Sequence, residues 1–140
     1  MSVRYEQRVD IRAPRERVWD VLTDVEHWPL WAPTVTSAVA LDGTFHAGSR
    51  WRVKQPRLGE TVWTVTDAEP GTVFTWTASS PGVSTLARHE IVTADGDQAT
   101  VSLVVEHTGP GARFAHLVFG RLTRRYLEQE AAGLKARCER

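Results

Sequence analysis

The chain has 140 residues, 41% hydrophobic and 24% charged, with 17 Lys plus Arg balanced by 17 Asp plus Glu. At this length a single domain over residues 1–140 is expected, hiding roughly 68–70% of the unfolded surface. The balance excludes an intrinsically disordered chain, which needs low hydrophobicity and high net charge, and it lacks the positive excess of a nucleic-acid binder.

Residues 3–12 alternate, with Val3, Tyr5, Val9 and Ile11 on one face and Arg4, Glu6, Arg8, Asp10 and Arg12 on the other, which predicts a half-buried strand. Pro14 sits at a plausible first helical position, and Val18, Val21, Leu22 and Val25 follow at helical spacing. A second short helix or turn is expected through His27–Trp31, interrupted by Pro29 and Pro33. Six strands follow, at about 35–41, 49–55, 61–67, 72–78, 84–93 and 99–107. Asp42-Gly43, Leu58-Gly59, Pro70-Gly71, Pro81-Gly82 and Asp95-Gly96-Asp97 punctuate them as turns. After Gly109-Pro110-Gly111 the periodicity becomes helical to about residue 138.

This order predicts an α+β architecture. A curved seven-stranded antiparallel sheet wraps around the long C-terminal helix, with two short helices between strands 1 and 2. Register follows from the apolar pattern. A three-residue loop at Asp95-Gly96-Asp97 sets His89 opposite Leu103 and Ile91 opposite Val101, whereas a one-residue slip would bury Arg88 and Glu90. The same reasoning pairs Trp63 with Trp76 and Val65 with Phe74. In the strand before, Trp51, Val53 and Gln55 face inward while Arg50, Arg52 and Lys54 face solvent. Six Trp is a large number for so short a chain, and three of them (Trp51, Trp63, Trp76) converge on the concave side. On the final helix an apolar stripe is expected from Phe119, Leu122, Tyr126, Leu127, Ala131, Leu134 and Cys138. His116, Thr123, Glu130 and Arg137 run down its middle, and buried polar groups there need partners.

The residues Ile11-Arg12-Ala13-Pro14-Arg15-Glu16-Arg17-Val18-Trp19, then Leu22, Asp24 and Trp28-Pro29-Leu30-Trp31, resemble the opening of polyketide cyclase/dehydrase-like proteins of the START-like, helix-grip (SRPBCC) superfamily, which implies the helix-grip fold. Val65-Thr66-Asp67-Ala68-Glu69-Pro70-Gly71 with Phe74 and Trp76 resembles the middle strands of that family. His107-Thr108-Gly109-Pro110 and Gly120-Arg121-Leu122-Thr123-Arg124-Arg125-Tyr126-Leu127 resemble its entry into the last helix. The resemblance implies a hydrophobic ligand held between sheet and helix, in members that cyclise polyketides or only carry lipids. Aromatase/cyclase members place a Ser and an Arg two residues apart after a Trp on an inward strand. Trp51, Val53 and Gln55 stand there in this chain, so that pair is absent, and a shared fold licenses a cavity rather than a reaction.

The expected ligand contacts are Trp31, Trp51, Val53, Gln55, Trp63, Phe74, Trp76, Phe119, Thr123 and Tyr126, weighed against plain core filling by the aromatics. His89 and Glu130 are the candidate acid/base groups, His89 as the leading one; Glu130 is alternatively a member of a structural network with Arg17 or Arg137. The five His show no ligand spacing and Cys138 is the lone cysteine, so neither a metal site nor an internal disulfide is expected. No cofactor is expected, because no phosphate-cradling glycine loop occurs. No apolar run reaches a membrane span of about 18 residues, the first 12 residues do not read as a secretory signal, and a cytoplasmic location is expected. The expected partner is a hydrophobic, ring-bearing small molecule, with a homodimer allowed and no nucleic acid. The alternatives are a non-catalytic lipid carrier, and a protein-interaction module whose interior is filled by its own side chains.

Overall fold

The computed structural model describes residues 2–140. Its elements are β1 (Ser2–Ile11), α1 (Arg15–Thr23), a 3₁₀ helix (Val25–Leu30), β2 (Ser37–Ala40), β3 (Arg50–Gln55), β4 (Gly59–Glu69), β5 (Val73–Ser80), β6 (Val83–Asp95), β7 (Gln98–Thr108) and α2 (Ala112–Cys138). The seven strands form one antiparallel sheet in the order β1-β7-β6-β5-β4-β3-β2. β1 and β2 therefore lie at opposite edges, and the two short helices carry the chain between them. α2 packs on β1 and β7, and α1 packs on α2, β6 and β7. This is the predicted helix-grip architecture.

Two strand registers were shaped by bulges that periodicity alone does not reveal. His89 does face Leu103 and Ile91 does face Val101, but the β6–β7 turn is one residue tighter than expected, with Asp95 paired to Gln98. A bulge between Ile91 and Thr93 absorbs the difference. In the β4–β5 hairpin Val65 pairs with Trp76 and Ala68 with Phe74, with a bulge between Val65 and Asp67. The expected Trp63–Trp76 and Val65–Phe74 pairs are thus corrected by two residues, because strands 4 and 5 meet across a loop and bulge of different length. A shift of two preserves which face each side chain takes, so Trp63 and Trp76 still meet as diagonal neighbours. Their rings stack with centroids 5.4 Å apart and planes 28° off parallel. Each bulge also bends its strand, which helps the sheet curve.

Two glycines mark where backbone must approach backbone. At Gly109 (φ 108°) an added Cβ would lie 2.6 Å from the Gly82 carbonyl oxygen. This close stacking seats the entry to α2 on the β5–β6 turn, sealed by the Gly111 N–H donating to Gly82 at 2.8 Å. Gly133 lies inside α2, where glycine costs about 1 kcal/mol relative to alanine. Its missing side chain leaves room for the Trp31 carbonyl, on which an added Cβ would collide. The glycine therefore lets α2 press on the segment leaving the 3₁₀ helix.

The C-terminal half of α2 buries Leu127, Ala131, Leu134 and Cys138, as its stripe predicts. The stripe does not extend to the helix start. Phe119 is 39% exposed: in the first turns of α2 only Ala112 and Gly120 are buried, and contact with the sheet is made by His116, whose Nδ1 shares a hydrogen bond with the Tyr5 hydroxyl of β1. We expect Gly133→Ala to lower stability by about 1–3 kcal/mol, the overpacking penalty outweighing the better helix propensity. Thermal unfolding checks this; an unchanged or raised midpoint would show that the Trp31 segment can retreat at no cost.

Candidate functional site

The side chains that face the concave side of β3–β7 do not all meet α2. A cavity of about 610 Å³ remains between them, and its wall includes Trp28, Trp63, Trp76, His89, Tyr126 and Glu130. Exposed Leu58, Glu60, Ser79 and Ser80 stand at its rim. They belong to the ends of β3–β4 and β5–β6, which places the mouth beside the hairpin turns. α2 reaches this rim through the Tyr126 hydroxyl, which donates to the Pro56 carbonyl.

The aromatic wall is a continuous chain of rings. Trp28 lies 5.3 Å from Trp76 and 5.5 Å from His89, centroid to centroid. The His89 imidazole stacks on Phe74 at 4.2 Å with planes 9° apart. The Trp28 indole is fixed from behind by its N–H donating to the Leu22 carbonyl at 3.0 Å. Trp63, by contrast, has an indole N–H without a partner among the described residues, and so does His89 Nδ1. Two unpaired polar atoms inside an aromatic wall are costly unless something else satisfies them.

Electrostatics in the hollow follow from dehydration. Burial pushes the His89 imidazolium down to about 3, so the ring is neutral across the physiological range. Burial pushes the Glu130 carboxyl up to about 7. The network of Glu130 with Arg17 or Arg137 is not formed: the Arg17 guanidinium instead donates to the Arg137 carbonyl at 2.9 Å. Two turns of helix separate Glu130 from Arg137, about 10 Å at 1.5 Å per residue. The carboxyl consequently faces the cavity with no cation to hold it ionised.

Of the residues expected to touch a ligand, Val53, Gln55, Trp63, Trp76, Thr123 and Tyr126 line the cavity. Four others lie elsewhere. Phe74 is fully buried behind His89, and Trp51 is buried with its N–H donated to the Ser49 hydroxyl at 3.2 Å. Trp31 borders a small cleft of about 100 Å³ between α1 and α2. Phe119 is in the first turns of α2, where its side chain is exposed. Sequence reasoning missed Trp28, whose inward aim depends on the 3₁₀ turn around Pro29, and the Thr85–His107 pair on β6 and β7. Thr85 Oγ1 and His107 Nδ1 are 2.9 Å apart, and both residues line the cavity. The pattern could have disclosed that pair, since Thr85 extends the inward-facing row of Ala87 and His89.

Comparison with known proteins agrees with this geometry. The chain is similar in structure to the Zhui aromatase/cyclase from Streptomyces sp. R1128, with a TM-score of 0.83 and 18% identity, covering 100% of this chain and 95% of that one. It is also similar to norcoclaurine synthase from Thalictrum flavum, solved in complex with dopamine and hydroxybenzaldehyde (TM-score 0.76, 14% identity, 97% and 86% covered). A START superfamily protein from Mycobacterium smegmatis matches at TM-score 0.74 and 18% identity, with 97% of each chain covered. At these identities the likeness shows the fold alone. No curated protein matches the chain. The family model described as polyketide cyclase / dehydrase and lipid transport matches residues 2–139, nearly the whole sequence, and on that match the chain belongs to this family.

Proposed function

We propose that this chain binds a hydrophobic, ring-bearing small molecule between the sheet and α2, and that it moves a proton on that molecule without a cofactor. The observation that carries this reading is the hollow itself. About 610 Å³ is walled by aromatic rings, among which the Trp63 N–H and His89 Nδ1 are unpaired, and such a combination suits a flat ligand bearing oxygen functions. Trp63 and Trp76 offer a stacked pair of ring surfaces, and the Trp63 N–H is free to donate to a ligand oxygen. The family description and the aromatic compounds bound by norcoclaurine synthase support the same class of ligand.

Roles follow from the two dehydrated groups. Glu130, with its carboxyl near 7, is matched to give or take a proton at neutral pH, where general acid–base groups work best. His89, neutral and stacked on Phe74, is too weak a base to lead. It serves as a hydrogen-bonding group that orients the ligand. This reverses the order of importance expected for the two residues, because complete burial of the imidazole removes its basicity. Cyclisation, dehydration or isomerisation guided by the shape of the cavity is the chemistry such an arrangement supports.

Titration of the intrinsic tryptophan fluorescence with a planar polycyclic phenol tests the cavity. We expect saturable quenching, and an affinity lowered about tenfold or more by Ala78→Phe, whose ring would occupy the hollow. No quenching and no thermal shift with phenols, sterols or fatty acids would leave an interaction module instead.

For any ligand that is converted, Glu130→Gln is expected to cut turnover by about 100-fold or more while leaving affinity within about threefold. Unchanged turnover would remove Glu130 from the chemistry, and binding without conversion of any ligand would leave a carrier.

The raised carboxyl also predicts a pH signature in the absence of ligand. The folded state holds this proton more tightly than the unfolded state, so the stability Glu130 contributes is present below about 4.5 and is lost as pH rises through about 7. Thermal unfolding should therefore show Glu130→Gln more stable than the parent chain at about pH 8, with the difference vanishing near pH 4. Parallel curves for the two proteins would mean that the carboxyl is hydrated.

A further inference from the structure

The start of α2 has a second surface that the cavity does not use. Phe114, Leu117, Val118, Arg121 and Arg125 recur at i, i+3, i+4, i+7 and i+11, so they share one face of the helix. Phe114 is 68%, Leu117 82% and Val118 53% exposed, and Arg121 and Arg125 are exposed beside them. The opposite side of the same turns is already occupied, since Ala112 and Gly120 are buried.

Charge is distributed unevenly around this face. The chain as a whole is neutral, yet residues 112–127 carry four arginines and no Asp or Glu. None of Arg113, Arg121, Arg124 and Arg125 enters an ion pair among the described residues. Arg124 is placed over the Tyr5 ring, 5.2 Å from its centroid, which leaves its charge uncompensated. The first acid along the helix is Glu128, beyond the arginines.

We propose that this face of α2 docks on an anionic lipid bilayer, with Phe114, Leu117 and Val118 entering the headgroup boundary and Arg121 and Arg125 meeting lipid phosphates. Apolar side chains this exposed, followed along the same face by arginines whose stems can lie on apolar surface while their heads stay with phosphate, fit the interfacial mode of binding. Anionic lipid supplies the complementary charge that the chain itself does not provide. A second copy of the chain is the poorer occupant, because a two-fold contact on this face would gather the Arg121 and Arg125 charges of both copies with no acid on the face to offset them. No helix among the described residues is long and apolar enough to cross a membrane, so the contact is peripheral. The face also adjoins the mouth of the cavity: Gly111 at the head of α2 is bonded to Gly82, and Ser79 and Ser80 of the same hairpin line the cavity. If the cavity binds a hydrophobe, as proposed above, docking would bring its mouth to the bilayer.

Flotation with vesicles of phosphatidylcholine alone, and with a third of it replaced by phosphatidylglycerol, tests the docking without any cavity ligand. Failure here leaves the cavity reading standing, and failure of ligand titration leaves the docking standing. We expect partition onto the anionic vesicles at least about tenfold stronger than onto the neutral ones, weakening as salt is raised. Leu117→Asp, and separately Arg121→Glu with Arg125→Glu, should each reduce it about tenfold or more, whereas Lys54→Glu on β3 should not. Circular dichroism confirms that each variant is folded, and the altered positions are all exposed. Equal partition onto both vesicles, no partition at all, or variants that bind like the parent would overturn the proposal. So would a dimer seen by sedimentation that Leu117→Asp dissolves, since the face would then belong to a second copy.

Discussion

The position of α2 relative to the sheet governs the rest of the molecule. The helix lies on β1 and β7, at one side of a seven-stranded sheet, and one helix about 10–12 Å across cannot also fill the concavity under β3–β5. Two contacts hold it there. Gly133 admits the Trp31 carbonyl against the back of the helix, and Tyr126 ties its middle to Pro56 on the far hairpin. The span between those strands and the helix is closed by aromatic side chains, and what they do not fill is the cavity.

Dehydration then sets the chemistry of that space. His89 and Glu130 lie on opposite walls, one on β6 and one on α2. Both are driven toward their uncharged forms, the imidazole downward and the carboxyl upward. The cause is the same for each, since leaving water penalises whichever form is charged. Neither has an oppositely charged neighbour to offset that cost, so the imidazole is held neutral and the carboxyl is held well above the usual carboxylate range. No arginine of α2 is paired with either group: Arg124 lies over the Tyr5 ring and Arg137 borders the small cleft beside α1. The two sides of α2 thus differ: an aromatic-walled cavity on one and, at the helix start, exposed apolar side chains and arginines on the other.

Much of the fold could be read before any coordinates, for a physical reason. Alternation in β1, β3, β6 and β7 has a period of two, and burying the wrong face would put Arg88 and Glu90 in the core. The pattern therefore specifies faces strongly. It specifies exact partners weakly. The bulges beyond Val65 and Ile91 leave alternation on either side looking regular, so the Trp63–Trp76 pairing was misplaced by two residues although both rings face the right way. The site was less legible. Trp51 and Phe74 share the inward face with Trp63 and Trp76, yet other core side chains cover them. Nothing in the spacing of an inward aromatic says whether the next layer will reach it. Trp28 shows the converse, an indole in a short Pro-containing turn that only the surrounding packing directs into the cavity wall.

Residue pattern by itself determined the order of elements, the faces of the strands, the amphipathic C-terminal half of α2 and the family to which the chain is similar. These are local properties, set by periodicity and turn chemistry within a few residues. Only the tertiary structure decided that the interior is hollow, that Glu130 has no cation beside it, and that the first turns of α2 leave Phe114, Leu117 and Val118 exposed. Each of these depends on the distance between elements far apart in the chain, and the free energy of burial is settled by that distance rather than by the identity of the residue being buried.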